Sequence, residues 1–248
     1  LYNKATRFNR NISQMGYETT TLYVGTQGEA ITIHTNLLRA AGKIFQEVLE
    51  LQTKTNERIN LSKVEPSPFK LLVEYLYTKK VPTATDHSGK AERAKALCQF
   101  YCWADYFDLK PQLLNKFMDS IQDSFLSLDK FPLGGLIHAI YTHTKPGCLL
   151  RSFALYSLYY NVRTYTADDK YLTILRDIFV EKPETIVEFA TIVKYHDGVD
   201  RDPRIRDGKE PTNCLECGRT RLNGQTGFPP CQFHIHSEDD GGCYLQFN

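Results

Sequence analysis

Two short runs of alternating character open the patterned part of the chain. Thr21-Leu22-Tyr23-Val24 and Ala30-Ile31-Thr32-Ile33-His34 are rich in β-formers, and the turn-forming Gly25-Thr26-Gln27-Gly28 between them predicts a hairpin. From Asn36 the period lengthens. Leu37, Ala41, Ile44, Phe45, Val48 and Leu49 recur at helical spacing with polar residues between them, and Thr35 or Asn36 can cap the helix they predict. Arg58-Ile59-Asn60-Leu61 reads as a short strand, and Pro66-Ser67-Pro68 leads into a helix with Phe69, Leu72, Val73 and Leu76 on one stripe. Residues 79–89, with Pro82 and several small polar side chains, predict a loop. Residues 91–107 and 111–128 are amphipathic helices, the second opened by Pro111 at a compatible first-turn position.

Four shorter helical stripes follow in residues 129–196. They are carried by Leu136, Ile137, Ile140 and Tyr141; by Leu149, Leu150, Phe153 and Tyr156; by Tyr171, Leu172, Leu175, Ile178 and Phe179; and by Ile186, Val187, Ala190 and Val193. Each is too small to hide its apolar face alone, so the four should pack on one another and on what precedes them. Tyr156, Tyr159, Tyr160 and Tyr165 fit a half-buried packing face or, alternatively, the lining of a ligand groove. Residues 1–18 form a polar arm with Lys4, Arg7 and Arg10 and no acid before Glu18, either frayed or a contact for an acidic partner. The element order describes an α/β (α+β) protein with a small sheet and many helices.

Thirty Lys and Arg against 29 Asp and Glu leave a formal net charge of +1 over 248 residues, which offers no global field for nucleic acid or an acidic membrane. Every long apolar stretch is broken by charge well short of the ~20 residues a spanning helix needs, and no charged start leads into an apolar signal core. A cytoplasmic or nuclear location follows as the expectation, and the start at Leu1 reads as that of a fragment. The seven cysteines divide into two groups. Cys98, Cys102 and Cys148 sit in apolar surroundings as expected buried thiols, whereas Cys214, Cys217, Cys231 and Cys243 cluster in a polar, Gly-rich tail where a metal is favoured over disulfides.

That tail runs Cys214-x2-Cys217-x13-Cys231-x2-His234-x-His236-x6-Cys243. Zinc takes about four N or S ligands in a tetrahedron, and a Cys-x2-Cys turn brings two thiolates to one ion. Gly218 favours such a turn, and a second turn from Cys231 to His234 completes a structural Zn2+ shell of Cys214, Cys217, Cys231 and His234. Six donors compete for four places, so His236 can replace His234 and Cys243 can replace Cys231. A nucleic-acid finger is excluded, because the gaps of 16 and 1 depart from roughly 12 and 3 to 5. A zinc deaminase is excluded because His236-Ser237-Glu238 lies downstream of the cysteine pair rather than upstream. Nine acids against six basic residues in 197–248 give this region a net charge of −3, which opposes phosphate-backbone binding. Arg201, Arg204 and Arg206, alternating with acids, read as part of a solvated linker over 197–213.

Several of these strings, taken in order, resemble one family. Leu22-Tyr23-Val24-Gly25, then Ile31-Thr32-Ile33-His34 leading to Leu37-Leu38 and Phe45, is similar to the start of a BTB/POZ domain. So are Ile59-Asn60-Leu61-Ser62-Lys63-Val64-Glu65-Pro66, followed by Phe69 and Glu74-Tyr75-Leu76-Tyr77-Thr78, and the helix containing Cys98, Tyr101, Ala104, Asp105, Tyr106, Phe107 and Leu109. The resemblance implies a BTB/POZ module over 19–128 with a small sheet and helical hairpins; the stripes add an all-helical extension over 129–196, and the cysteine and histidine spacing a zinc-binding tail over 214–248. The plain layout is similar to that of BTB proteins abundant in filamentous fungi. The resemblance further implies protein partners rather than catalysis, self-association through the hairpin and the helix near Leu37, and recruitment to a cullin-type ubiquitin ligase, for which Val48-Leu49-Glu50 is the candidate hydrophobic-x-acid element. It places a histidine at His34, read as structural because no nucleophile or carboxylate pair accompanies it. A transcription-associated regulator assembling through the same domain is the alternative. A metal-dependent enzyme is a further one, with Glu216 or Glu238 as its base.

Overall fold

The computed structural model describes residues 16–81, 87–107, 109–132, 134–165, 169–194, 201–206, 227–228 and 231–235. The polar arm thus falls outside the described residues up to residue 15. The chain divides into two compact units, one formed by Leu1–Pro82 with Phe107–Lys110 and the other by Thr83–Tyr106 with Pro111–Asn248.

The first unit is built on the hairpin. β1 (Thr19–Val24) pairs antiparallel with β2 (Glu29–His34), Leu22 opposite Ile31 and Val24 opposite Glu29. Gly25 and Gly28 make the turn with φ of 78° and 65°, a backbone region open to glycine at little cost, and the Gly28 amide donates to the Gly25 carbonyl at 3.0 Å. β1 alternates as its pattern predicts, with Thr20, Leu22 and Val24 buried. β3 (Ile59–Leu61) lies parallel on the other side of β1, giving the order β2-β1-β3. The parallel pairing requires a crossover, supplied by α1 (Thr35–Ala41) and α2 (Lys43–Thr55). The single helix expected from Asn36 is therefore two. Gly42 between them is extended, at φ 173° and ψ 166°, and a Cβ there would press on the Leu109 side chain at 2.9 Å. α3 (Pro66–Thr78) starts on Pro66 and buries Phe69, Leu71, Leu72 and Leu76 with Leu22, Ile33, Leu38 and Phe45 of the same core.

The second unit is helical. α4 (His87–Tyr106) and α5 (Pro111–Ser127) are long helices packed on each other, with the Phe100 and Phe117 ring centres 4.0 Å apart. α4 begins within the stretch expected as loop, since Gly89 is accommodated inside its first turn. Then come α6 (Gly135–His143), α7 (Leu149–Thr164), α8 (Asp169–Glu181) and α9 (Glu184–Lys194), the four short helices expected from the stripes. α7 is central to them, packing on α4, α6, α8 and α9, and it buries Leu150, Phe153, Ala154, Leu155 and Leu158. The tyrosines make a packing face: Tyr156 meets Phe228 and Phe233, Tyr159 meets Phe189, Tyr160 meets Phe131 and Tyr165 meets Tyr171.

Residues 202–206 depart from the solvated reading. They form β4 (Asp202–Arg206), parallel to β5 (Gly227–Phe228), and β4 packs on α5 and α7. Arg204 is only 5% exposed because Asp202 neutralises it, with Nη2 donating to Oδ2 at 2.7 Å, and because its guanidinium stacks 3.7 Å from the centre of the Phe131 ring. The pairing of β4 with β5 depends on the missing side chain of Gly227, where a Cβ would run into the Ile205 carbonyl. Gly227→Ala is expected to cost about 1–3 kcal/mol and to raise hydrogen exchange across 202–206, as mass spectrometry of peptides would show.

Candidate functional site

Three places carry the chemistry singled out in the sequence. The first is His34, where β2 passes into α1. Tyr77 of α3 holds both ends of this residue: its hydroxyl lies 2.7 Å from the His34 Nδ1 and accepts from the His34 amide at 3.2 Å. The Thr35 amide beside it donates to the Glu18 carbonyl at 2.9 Å, and the buried Thr20 and Thr35 hydroxyls meet at 2.9 Å. His34 therefore locks strand to helix, as the structural reading expected.

The second place is the outer surface of α2. Phe45 and Leu49 face the core at 2% and 4% exposure, while Gln46, Glu47, Glu50 and Leu51 are exposed, Leu51 at 58%. Val48-Leu49-Glu50 thus lies inside a helix and divides between core and surface, with Val48 half-buried and Glu50 outside.

The third is the tail. Cys214, Cys217, His236 and Cys243 lie outside the described residues, and only Cys231 and His234 are placed. Those two share one tight turn, closed by the His234 amide donating to the Cys231 carbonyl at 3.1 Å, and both are buried, at 2% and 4%. The turn is fastened to α5. The Asn115 side chain donates to the Ile235 carbonyl at 2.9 Å and accepts from the Ile235 amide at 2.7 Å, reading the backbone at both polar groups. His234 Nε2–H donates to Asp119 Oδ1 at 2.9 Å. Gln122 donates to the Pro203 carbonyl of β4 at 2.7 Å, and Arg206 of β4 pairs with Asp119 and with Asp123. Asn115, Asp119, Gln122 and Asp123 follow helical spacing, so one stripe of α5 holds both tail pieces. Among the described residues no group of three or more His, Cys, Asp or Glu is placed to hold a metal.

The buried thiols contribute no nucleophile. Burial, and then the neighbouring Cys102, raises Cys98 well above the ordinary thiol value; burial followed by Cys148 pushes Cys102 up to about 12, and burial followed by Asp105 pushes Cys148 up to about 11. All three stay protonated near neutrality. No described helix is long and apolar enough to cross a membrane.

The hairpin, the parallel third strand and the following helices are decided by comparison with protein families, where residues 8–121 match the BTB/POZ domain model. This segment is a BTB/POZ domain. No curated protein and no solved structure gives a significant match to the chain. The BTB/POZ domain is an interaction fold without catalytic machinery of its own, and its presence makes the chain a carrier of a protein-protein interaction module. Within it lie His34, the α2 surface and, up to residue 121, the stripe of α5 that holds the tail.

The α5 stripe is what sequence reasoning missed. Its signal was present, since Asn115, Asp119 and Gln122 recur at i, i+4 and i+7, but a polar row on an amphipathic helix reads first as a wetted face.

Proposed function

We propose that the chain is a non-enzymatic scaffold that works through its BTB/POZ domain, recruiting a protein partner in the cytoplasm or nucleus, with a cullin-type ubiquitin ligase as the partner to test. The observation that supports this reading is the family match over residues 8–121. The exposed row Glu47, Glu50 and Leu51 on α2 offers an apolar anchor rimmed by acids, the kind of surface on which one buried side chain carries much of the affinity. Self-association through the hairpin and α1 belongs to the same proposal. Its check is light scattering of the intact chain at high concentration, where a dimer mass is expected and a monomer mass removes this part.

The decisive experiment is affinity capture of the intact chain from its native cell, scored for a cullin. Leu51→Arg is expected to leave the unfolding midpoint unchanged, because the side chain is largely in solvent, and to lower cullin recovery by about tenfold or more, the equivalent of ~1.4 kcal/mol. Chromatin proteins in place of a cullin support the transcription-associated alternative and overturn the ligase reading.

The tail enters the proposal as a structural zinc module, with Cys214, Cys217, Cys231 and His234 as ligands and His236 and Cys243 as the competing donors. The Cys231–His234 turn supports this, because it carries two donor residues on one tight turn closed by the His234 amide donating to the Cys231 carbonyl. A closed site of this kind leaves no position for substrate, which agrees with a role in shape rather than turnover. Elemental analysis of protein purified without chelator is expected to give one zinc per chain, lost in Cys231→Ser.

A further inference from the structure

We infer that the outer face of α9 is a self-association surface. A second copy of this chain lays its own α9 there in antiparallel sense, with Ala190 at the two-fold axis and Glu184 of each copy set against Lys194 of the other. The surface belongs to the second unit, apart from the hairpin and α1, and depends neither on the family match nor on zinc.

The rotation of α9 is fixed from within. Thr185 and Ile192 are buried, Phe189 meets Tyr159 and Phe179 edge-on, and Glu188 accepts from the Tyr141 hydroxyl, so these four positions face the helices beneath. The opposite side is apolar and open: Ile186, Val187 and Val193 are 47%, 71% and 49% exposed, with Ala190 exposed between them. A solvated helix face is ordinarily polar. Ile186, Ala190 and Val193 instead follow steps of four and three with Val187 alongside, the spacing of a seam by which one helix packs along another. Charge decides the occupant. α9 carries an acid in its first turn, Glu184, and a base in its last, Lys194. A stripe with these ends complements itself only when reversed, and a two-fold axis between identical chains imposes that reversal. With the axis at Ala190, Val187 of one copy faces Val193 of the other. Lys194 then stands about 3 Å along the helix from the opposing Glu184, within reach of its flexible four-carbon stem. The small side chain at the crossing lets the two helices approach closely, and their macrodipoles run in opposite senses. A seam on 11 residues is smaller than a permanent interface requires, so the association is weak and depends on concentration.

The test is sedimentation equilibrium of the full chain over a concentration series, in wild type, Val187→Glu, Glu184→Lys, Lys194→Glu and the double charge reversal. Wild type is expected to gain mass on concentration above whatever mass it has when dilute. Val187→Glu puts a carboxylate into the seam from both copies and is expected to weaken that gain by about tenfold or more. Each single reversal sets like charges face to face and is expected to weaken it by about fivefold or more, and the double reversal to recover most of the loss. Leu51→Arg, which removes an exposed apolar side chain from the first unit, is expected to leave the gain unchanged. A second measurement reads the axis directly: Ala190→Cys, oxidised mildly with copper phenanthroline, is expected to join two chains through the introduced thiol on both sides, as mass spectrometry of the linked peptides would show. A wild-type mass independent of concentration, or a gain that Val187→Glu retains, overturns the inference whether or not the hairpin and α1 also self-associate. A gain that the double reversal does not recover, with no cross-link at the introduced thiol, overturns the antiparallel pairing. Loss of a different captured protein in Val187→Glu, with an unchanged sedimentation mass, gives the face to another chain and overturns the second copy as its occupant.

Discussion

Arg151→Ala is expected to unfold the helical part of the second unit at much lower denaturant than the wild type, a loss of about 3–5 kcal/mol. Arg151 sits on α7 at 5% exposure, and its guanidinium is shared among several polar groups at the end of α6. Nε donates to the Thr144 hydroxyl at 2.9 Å, and Nη2 donates to the Tyr141 carbonyl at 2.9 Å and to the Thr144 carbonyl. These carbonyls end α6, where the last turn of any helix has no intrahelical partners. The guanidinium also lies over the Tyr141 ring at 4.6 Å, and the Tyr141 hydroxyl donates to Glu188 of α9, whose other oxygen is 4.0 Å from Nη1. Burial, and then the Glu188 carboxylate, pushes the Tyr141 phenol far up, so it stays protonated and donates near neutrality. Truncation strips the α6 end of its cap and leaves Glu188 without its balancing charge. The whole stability of a domain is only about 5–15 kcal/mol. Arg151→Lys keeps the charge but lacks the planar fork, so it should fall between wild type and alanine. A denaturation midpoint for Arg151→Ala within error of the wild type would show that α6, α7 and α9 are held together by apolar contact alone.

Arg151 also shows where local pattern stops being informative. The apolar stripes that predict α6, α7, α8 and α9 are periodic, and periodicity is a property of neighbouring residues, so those helices were legible. The hairpin was legible for the same reason, through the alternation ending in Ile33 and the positive-φ glycines Gly25 and Gly28. The partner of a lone arginine inside an apolar stripe is not a local property. Nor is that of Arg204, whose alternation with acids matched a solvated linker although its stacking partner, Phe131, is more than seventy residues earlier. The split between α1 and α2 escaped notice because the apolar spacing runs through Gly42, whose extended backbone interrupts the helix and whose missing side chain leaves room for Leu109. The candidate metal residues present the reverse case. Their spacing can be read from neighbouring residues, but the group that His234 meets, Asp119 on α5, lies more than a hundred positions away.

Phe233→Ala is expected to release the tail from α5 and α7 while the sheet of the first unit keeps its protection. Between Cys231 and His234 this residue counted only as a spacer of the metal-binding turn, yet it is among the largest fully buried side chains, at 1% exposure. Its ring meets Phe153 of α7 edge-on at 5.6 Å, Tyr156 at 5.9 Å and Phe228 of β5 at 5.6 Å, so one aromatic group binds the turn, α7 and the β4-β5 pair. Truncating a buried phenylalanine costs about 3–5 kcal/mol, against about 0.5–1.5 kcal/mol for an ordinary hydrogen bond. Loss of the two Asn115 bonds to Ile235 should therefore be the milder lesion. The measurement is hydrogen exchange on the full chain, following the Ile235 amide that donates to Asn115 and the peptides of β4. Exchange at Ile235 should accelerate by at least about a hundredfold in Phe233→Ala and by about tenfold or less in Asn115→Ala, whereas Phe233→Leu should stay near wild type. If chelation of wild-type protein frees Ile235 as fully as Phe233→Ala does, the metal and not the aromatic cluster holds the tail. If only the substitution frees it, the tail has its own apolar anchor and is docked by the aromatic cluster.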